Sequence, residues 1–127
     1  MRKPLFFLLS LLSFAAPLAL ASQANGQVSF PAQLQGTWNP APYDCGSAPE
    51  AANDMRFAVS DRNRVNYEDI ETLVSIVEIP GSPTAWRLTT TSNVVGTAEG
   101  QSRVYVLGQK YLFVSDGDRM DQYLQCR

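Results

Sequence analysis

Three clusters in this chain have residue types that could do chemistry. Glu68-Asp69-x-Glu71 gathers three carboxylates, the raw material for general acid–base work or glycoside hydrolysis. Asp116-Gly117-Asp118, with Asp121 beyond, offers oxygens to a hard cation. Cys45 and Cys126 are the only two cysteines, and there is no histidine. Each cluster also has a plainer reading. A calcium loop takes about six to eight oxygens, usually with a bidentate Glu, so the aspartates at 116–121 read as a tight hairpin turn. The 68–71 carboxylates read as a solvated acidic strand end, neutralised locally by Arg62 and Arg64. Without histidine there is no Ser-His or Cys-His nucleophile pair, and two cysteines cannot hold a four-thiolate zinc or an iron–sulfur cluster. The chemistry of the sequence therefore points away from an enzyme, a metal site or a cofactor.

The cysteines acquire a role from their context. Met1-Arg2-Lys3 is a positive start, Leu5 to Leu20 is almost wholly apolar, and Ala19-Leu20-Ala21 is an A-x-A cleavage pattern. This reads as a signal peptide over residues 1–21, which sends the mature chain to the periplasm or the cell exterior. The apolar run is shorter than the roughly 20 residues of a membrane span and holds Pro17, so no membrane anchor is expected after cleavage. In an oxidising compartment, Cys45 and Cys126 are expected to form one disulfide. The mature chain keeps 8 basic and 12 acidic residues, a net charge of −4. That balance gives no electrostatic reason to bind nucleic acid or an anionic membrane.

The elements that must position these residues are strands. Residues 22–29 are polar and Gly/Asn/Gln-rich and read as a flexible leader to one domain over 30–127. Phe30 to Trp38 is a turn feeding a short strand. Asn39 to Asn53 is a long loop, with a helical turn opening at Pro49. From Met55 the apolar period is two: Met55, Phe57, Val59, then Val65 and Tyr67 after an Asp61-Arg62-Asn63 turn in which Asn63 suits a left-handed position. Thr72 to Ile79, Thr84 to Thr91, Ser102 to Leu107, Lys110 to Ser115 and Arg119 to Cys126 complete eight strands; Asn93 to Gly100 has no clear assignment.

Turns centred on Gly108-Gln109 and Asp116-Gly117 set the last two hairpins. They put Val104, Val106, Tyr111, Phe113, Met120, Leu124 and Cys126 on one uncharged face, read as the inside. The other face carries Arg103, Lys110, Arg119 and Asp121 with Tyr105, Leu107, Leu112, Val114 and Tyr123, read as an apolar outer surface suited to a partner or to cover by a loop. The fold expected is all-β: a small eight-stranded antiparallel up-and-down barrel. Closure hides the edge strands, and the disulfide ties the loop after the first strand to the last. An open meander or sandwich is the alternative.

Phe30-x3-Leu34-x-Gly36-Thr37-Trp38 resembles the first-strand motif of lipocalins, a short turn leading into G-x-W. The resemblance implies a barrel whose closed end is plugged by Trp38 and covered by an Arg, for which Arg119 and Arg127 both stand near the last strand. The mature chain is shorter than a typical lipocalin and lacks the C-terminal helix. In size it is similar to the periplasmic inhibitors of serralysin-type metalloproteases, also one-disulfide barrels with an early G-x-W, whose leader enters the protease cleft. Their cysteines lie close together, unlike Cys45 and Cys126.

Two functions fit. One is a protein-binding module of inhibitor or immunity type. Its candidate contacts are Tyr43 and Asp44 on the disulfide-tethered loop and Tyr105, Leu107, Leu112 and Tyr123 on the outer face, with a basic hydrolase as a partner that charge would steer in. The other is a lipocalin-like binder of a small apolar ligand in the barrel mouth. The number of large side chains available to fill so short a barrel favours the first.

Overall fold

The computed structural model describes residues 26–47, 49–94 and 100–126. The expected signal peptide lies outside them, as do Arg127 and most of the unassigned 93–100 segment.

Eight strands form: β1 Gly36–Pro40, β2 Phe57–Val59, β3 Asn63–Val65, β4 Ile70–Ile79, β5 Thr84–Ser92, β6 Gln101–Leu107, β7 Tyr111–Ser115 and β8 Met120–Gln125. Each pairs antiparallel with the next, and β1 closes on β8 through Trp38↔Gln125, Asn39↔Leu124 and Pro40↔Tyr123. This is the up-and-down barrel read from the alternation of apolar residues, and it leaves no edge strand. The Cys45–Cys126 disulfide is formed, joining residues 81 positions apart. In the chain-entropy account such a loop is worth about 4–5 kcal/mol. The helical turn expected at Pro49 is α1, Glu50–Asn53.

The topology gives the barrel two unlike ends. At one, the plugged end, a 3-10 turn, Ala32–Leu34, buries Phe30 and Leu34 against the core, beside the short β2–β3, β4–β5 and β6–β7 turns. Val28, assigned to a flexible leader from its composition, also packs on this core. At the other, the loop end, lie the 41–56 loop and the β3–β4, β5–β6 and β7–β8 connections. Asn63 opens β3 and no described non-glycine residue has positive φ, so the left-handed position expected there is not used.

The last two hairpins differ from the sequence reading in an instructive way. Gly108 N–H donates to the Tyr111 carbonyl, so Gln109 and Lys110 are the central turn residues, one position later than expected. Likewise Asp116 N–H donates to the Arg119 carbonyl, and Gly117 (φ +103°) and Asp118 are central. Moving a two-residue turn by one position shifts the cross-strand register by two: Val106 faces Phe113, and Phe113 faces Gln122. A shift of two preserves which residues share a face. The grouping of side chains therefore stands, but inside and outside are exchanged. Tyr105, Leu112, Val114 and Tyr123 fill the bore, while Val104, Val106, Tyr111, Phe113 and Leu124 lie half-buried on the outer wall and Met120 is exposed. The charges misled because of where they sit: Lys110 and Arg119 are in turns beyond the strands, and Arg103 is internally paired.

The core is one cluster along the bore. Trp38, Phe57, Trp86, Leu88, Leu73, Tyr105, Leu112 and Tyr123 are each buried there. Phe57 and Tyr123 meet edge-on at 4.8 Å between ring centroids. Tyr67, which continues the period-two alternation in the sequence, lies beyond β3 in the β3–β4 connection and is exposed.

Candidate functional site

Toward the loop end the bore turns polar. The alternation that sends Leu73 inward from β4 also sends Glu71 inward, and β3, β5 and β6 contribute Arg64, Thr90 and Arg103 to the same level. Arg103 holds Glu71 with both terminal nitrogens, Nη1 to Oε2 at 2.5 Å and Nη2 to Oε1 at 3.1 Å. Thr90 Oγ1 donates to Oε2 (2.7 Å) and Asn66 Nδ2 to Oε1 (3.0 Å). The Arg64 guanidinium lies 4.0 Å from the Phe57 ring centroid; its Nη1 donates to Tyr105 Oη at 2.6 Å and its Nε to Asn66 Oδ1 at 2.9 Å.

Burial alone pushes the Glu71 carboxyl up. The Arg64 and Arg103 guanidiniums, with hydrogen bonds from Thr90 and Arg103, overcome it and hold the group below the usual carboxylate range. Burial likewise raises Tyr105, against the lowering influence of the same two arginines. Each Glu71 oxygen accepts two hydrogen bonds, so the carboxylate is committed to the network. The other members of the acidic trio lie elsewhere: Asp69 Oδ1 accepts from Ser92 Oγ at 2.6 Å, and Glu68 is exposed. The three carboxylates thus do not converge.

At the plugged end Trp38 is buried and its Nε1 donates to the Leu34 carbonyl at 2.9 Å. Arg119, a candidate cover for that indole, is 72% exposed and pairs with Asp121 (3.3 Å) and Asp116 (3.7 Å). It stands at the loop end, away from Trp38. The cation that stacks on aromatic rings inside the barrel is Arg64, on Phe57 and Tyr105.

The long loop is held to the outer wall by two anchors. The first is the disulfide, seated where the Cys126 N–H donates to the Thr37 carbonyl. The second is Asn39, which faces outward beside Leu124 yet is fully buried under the loop. Its Nδ2 donates to the carbonyls of Tyr43 (3.2 Å) and Asp44 (3.0 Å), and its Oδ1 accepts from Arg56 Nε at 2.7 Å. Asp44 caps its own turn: Oδ1 accepts from the Ser47 hydroxyl and from the Gly46 and Ser47 N–H groups, which lowers its pKa.

Of the expected contact residues, then, Tyr43 and Asp44 are exposed on the anchored loop. Tyr105, Leu112 and Tyr123 line the bore and are unavailable to a partner. Leu107 is half-buried at the plugged end, beside a depression of about 320 Å³ shared with Trp38 and Lys110. Between the long loop and the start of β8 lies a cleft of about 400 Å³ lined by Tyr43, Pro49, Met55, Met120 and Asp121. The sequence reading missed this cleft, having placed Met55 and Met120 on an inward alternation. Met120 belongs to the outer face of β8, opposite Ser115, where inside and outside are exchanged, and Met55 lies in the loop before β2, outside any strand alternation.

Charge is distributed unevenly. Outside the buried Glu71–Arg64–Arg103 network, the described strand connections at the loop end carry Glu68, Asp69, Asp116, Asp118 and Asp121 with Arg119, and the long loop adds Asp44, Glu50 and Asp54 with Arg56. At the plugged end Asp61 and Glu78 are balanced by Arg62 and Lys110.

No protein-family model, curated protein or solved structure matches this chain.

Proposed function

We propose that this chain is a small exported binding protein without catalytic activity, acting on a protein partner through its exterior as an inhibitor or immunity-type module. The observation that carries this reading is the filled bore. Trp38, Phe57, Trp86, Tyr105 and Leu112 occupy its length, and the Glu71–Arg103–Arg64 network occupies the loop end. A lipocalin-like ligand binder, which Gly36-Thr37-Trp38 and the closed barrel bring to mind, needs an apolar hollow in that position. With the interior used for stability, the walls and loops are left for recognition. The acidic loop end favours a basic partner, such as a cationic hydrolase, and disfavours nucleic acid.

The test is native mass spectrometry of the protein taken from its own periplasm or medium. A bound protein released at high salt supports the reading. A retained small apolar molecule overturns it in favour of the ligand binder.

A further inference from the structure

The cleft between the 41–55 loop and β8 stands apart from the rest of the surface. Three large apolar side chains converge there while keeping much of their area in water: Tyr43 is 39% exposed, Met55 45% and Met120 63%. Two are methionines, whose unbranched, polarisable chains adapt to an incoming group. The volume, about 400 Å³, is near the low end of the roughly 300–1,000 Å³ typical of ligand sites and suits a side chain or two. The floor is fixed: the Ala41 N–H donates to the Gln122 carbonyl at 2.8 Å, and the disulfide and Asn39 hold the loop behind it.

The rim supplies the sign of the partner. Asp121 lines the cleft, and Asp118, Glu50 and Asp54 stand on the segments around it. The nearby cations offer little repulsion to a basic visitor. Arg56 is turned inward onto Asn39, and Arg119 is already shared by Asp116 and Asp121. Glu50, Asp54 and Asp118 form no salt bridge among the described residues. An apolar slot inside an anionic rim is complementary to one chemistry: a large apolar side chain flanked by Lys or Arg.

We propose that this cleft docks a basic segment of a partner protein, which seats one large apolar side chain between Tyr43, Met55 and Met120. The inference deepens the protein-binding reading and rests on it. Electrostatic attraction sets the approach, and apolar burial sets the residence time.

The test uses the disulfide-bonded protein labelled with nitrogen-15 throughout and with carbon-13 at the methionine methyls. The probes are three synthetic pentapeptides at roughly millimolar concentration and low salt: Lys-Lys-Phe-Lys-Lys, Lys-Lys-Gly-Lys-Lys and Glu-Glu-Phe-Glu-Glu. The expected result is that the first peptide shifts the Met55 and Met120 methyl signals, the other two shift them far less, and added salt reverses the effect. Met120→Ala and Asp121→Asn, both at exposed or rim positions, are each expected to weaken the first peptide by about fivefold or more. Unmoved methyl signals, or equal binding of the acidic peptide, overturn the proposal. Shifts confined to backbone amides around Tyr111 and Phe113 overturn the cleft as the site yet leave the surface-binding reading standing. That reading falls on its own result, a small molecule retained in the native mass spectrum.

Discussion

Arg103 on β6 reaches across β5 to grip both carboxylate oxygens of Glu71 on β4, inside the barrel. The pair has a third charged neighbour in Arg64, so two guanidiniums share one buried carboxylate. Such an arrangement is held by completeness: each member satisfies groups that would otherwise be stranded away from water.

Replacing Glu71 by Gln leaves both guanidiniums without a counter-charge. A loss of about 3 kcal/mol is expected, read as a lower urea midpoint. A double replacement of Glu71 by Leu and Arg103 by Met is expected to cost less than the two single changes added together, because it removes one of the two stranded guanidiniums along with the bond, leaving only Arg64 without its counter-charge.

The same carboxylate gives the fold an acid limb. Its folded pKa lies below the ordinary 4.5, so the native state binds the proton less readily than the unfolded chain. Its contribution is complete above the unfolded value and is lost as pH falls through the folded one. Urea midpoints measured downward from neutral pH are therefore expected to fall below about pH 4.5. Glu71→Gln removes Glu71's share of that fall, and an unchanged acid limb in the variant would assign it to other carboxylates.

The disulfide is expected to carry a large part of the stability. Replacing Cys45 and Cys126 together by Ser is expected to remove up to about 4–5 kcal/mol, against the roughly 5–15 kcal/mol of a typical small domain. The loss is measurable as a drop in Tm, and a reductant is expected to reproduce it in the parent protein.

Asn39→Leu keeps the bulk under the long loop and deletes its three hydrogen bonds. The carbonyls of Tyr43 and Asp44 and the Arg56 Nε lose their partner. A cost of about 2–3 kcal/mol is expected. Hydrogen exchange over residues 41–56 is expected to quicken while β5 and β6 stay protected.

Much of the fold was legible in the residues. Alternation at Phe57–Val59 and along Thr84–Thr91, with Pro/Gly turns between strands, led to eight strands, and a single cysteine pair led to closure. Which face points inward was not legible, because it was judged by charge. Arg103 looks like a surface residue until Glu71, two strands away, is brought beside it, and that proximity comes from the registers of two successive strand pairings, β4–β5 and β5–β6. The turn positions were off by one for a local reason. Gly117 adopts its positive φ as the first central residue where the sequence reading had it second, and Asp116 receives the N–H groups of Asp118 and Arg119. The cleft was hidden for another reason: its walls come from the 41–55 loop and from β8, which are distant in sequence. Its charged rim, by contrast, was partly visible as a run of aspartates.

The meeting of β1 with β8 also sets an order of events. Trp38 and Gln125 are partners although nearly the whole domain separates them in sequence. A chain that emerges from its N-terminus cannot complete β1's second ladder until its last strand is available. Until then the incipient sheet has two open borders and no Cys126 thiol to meet Cys45. β8 and Cys126 act as the clasp, and closure waits for them. The long sequence separation makes that step slow relative to forming a local hairpin. Once closed, the ring presents no free border to a neighbouring strand.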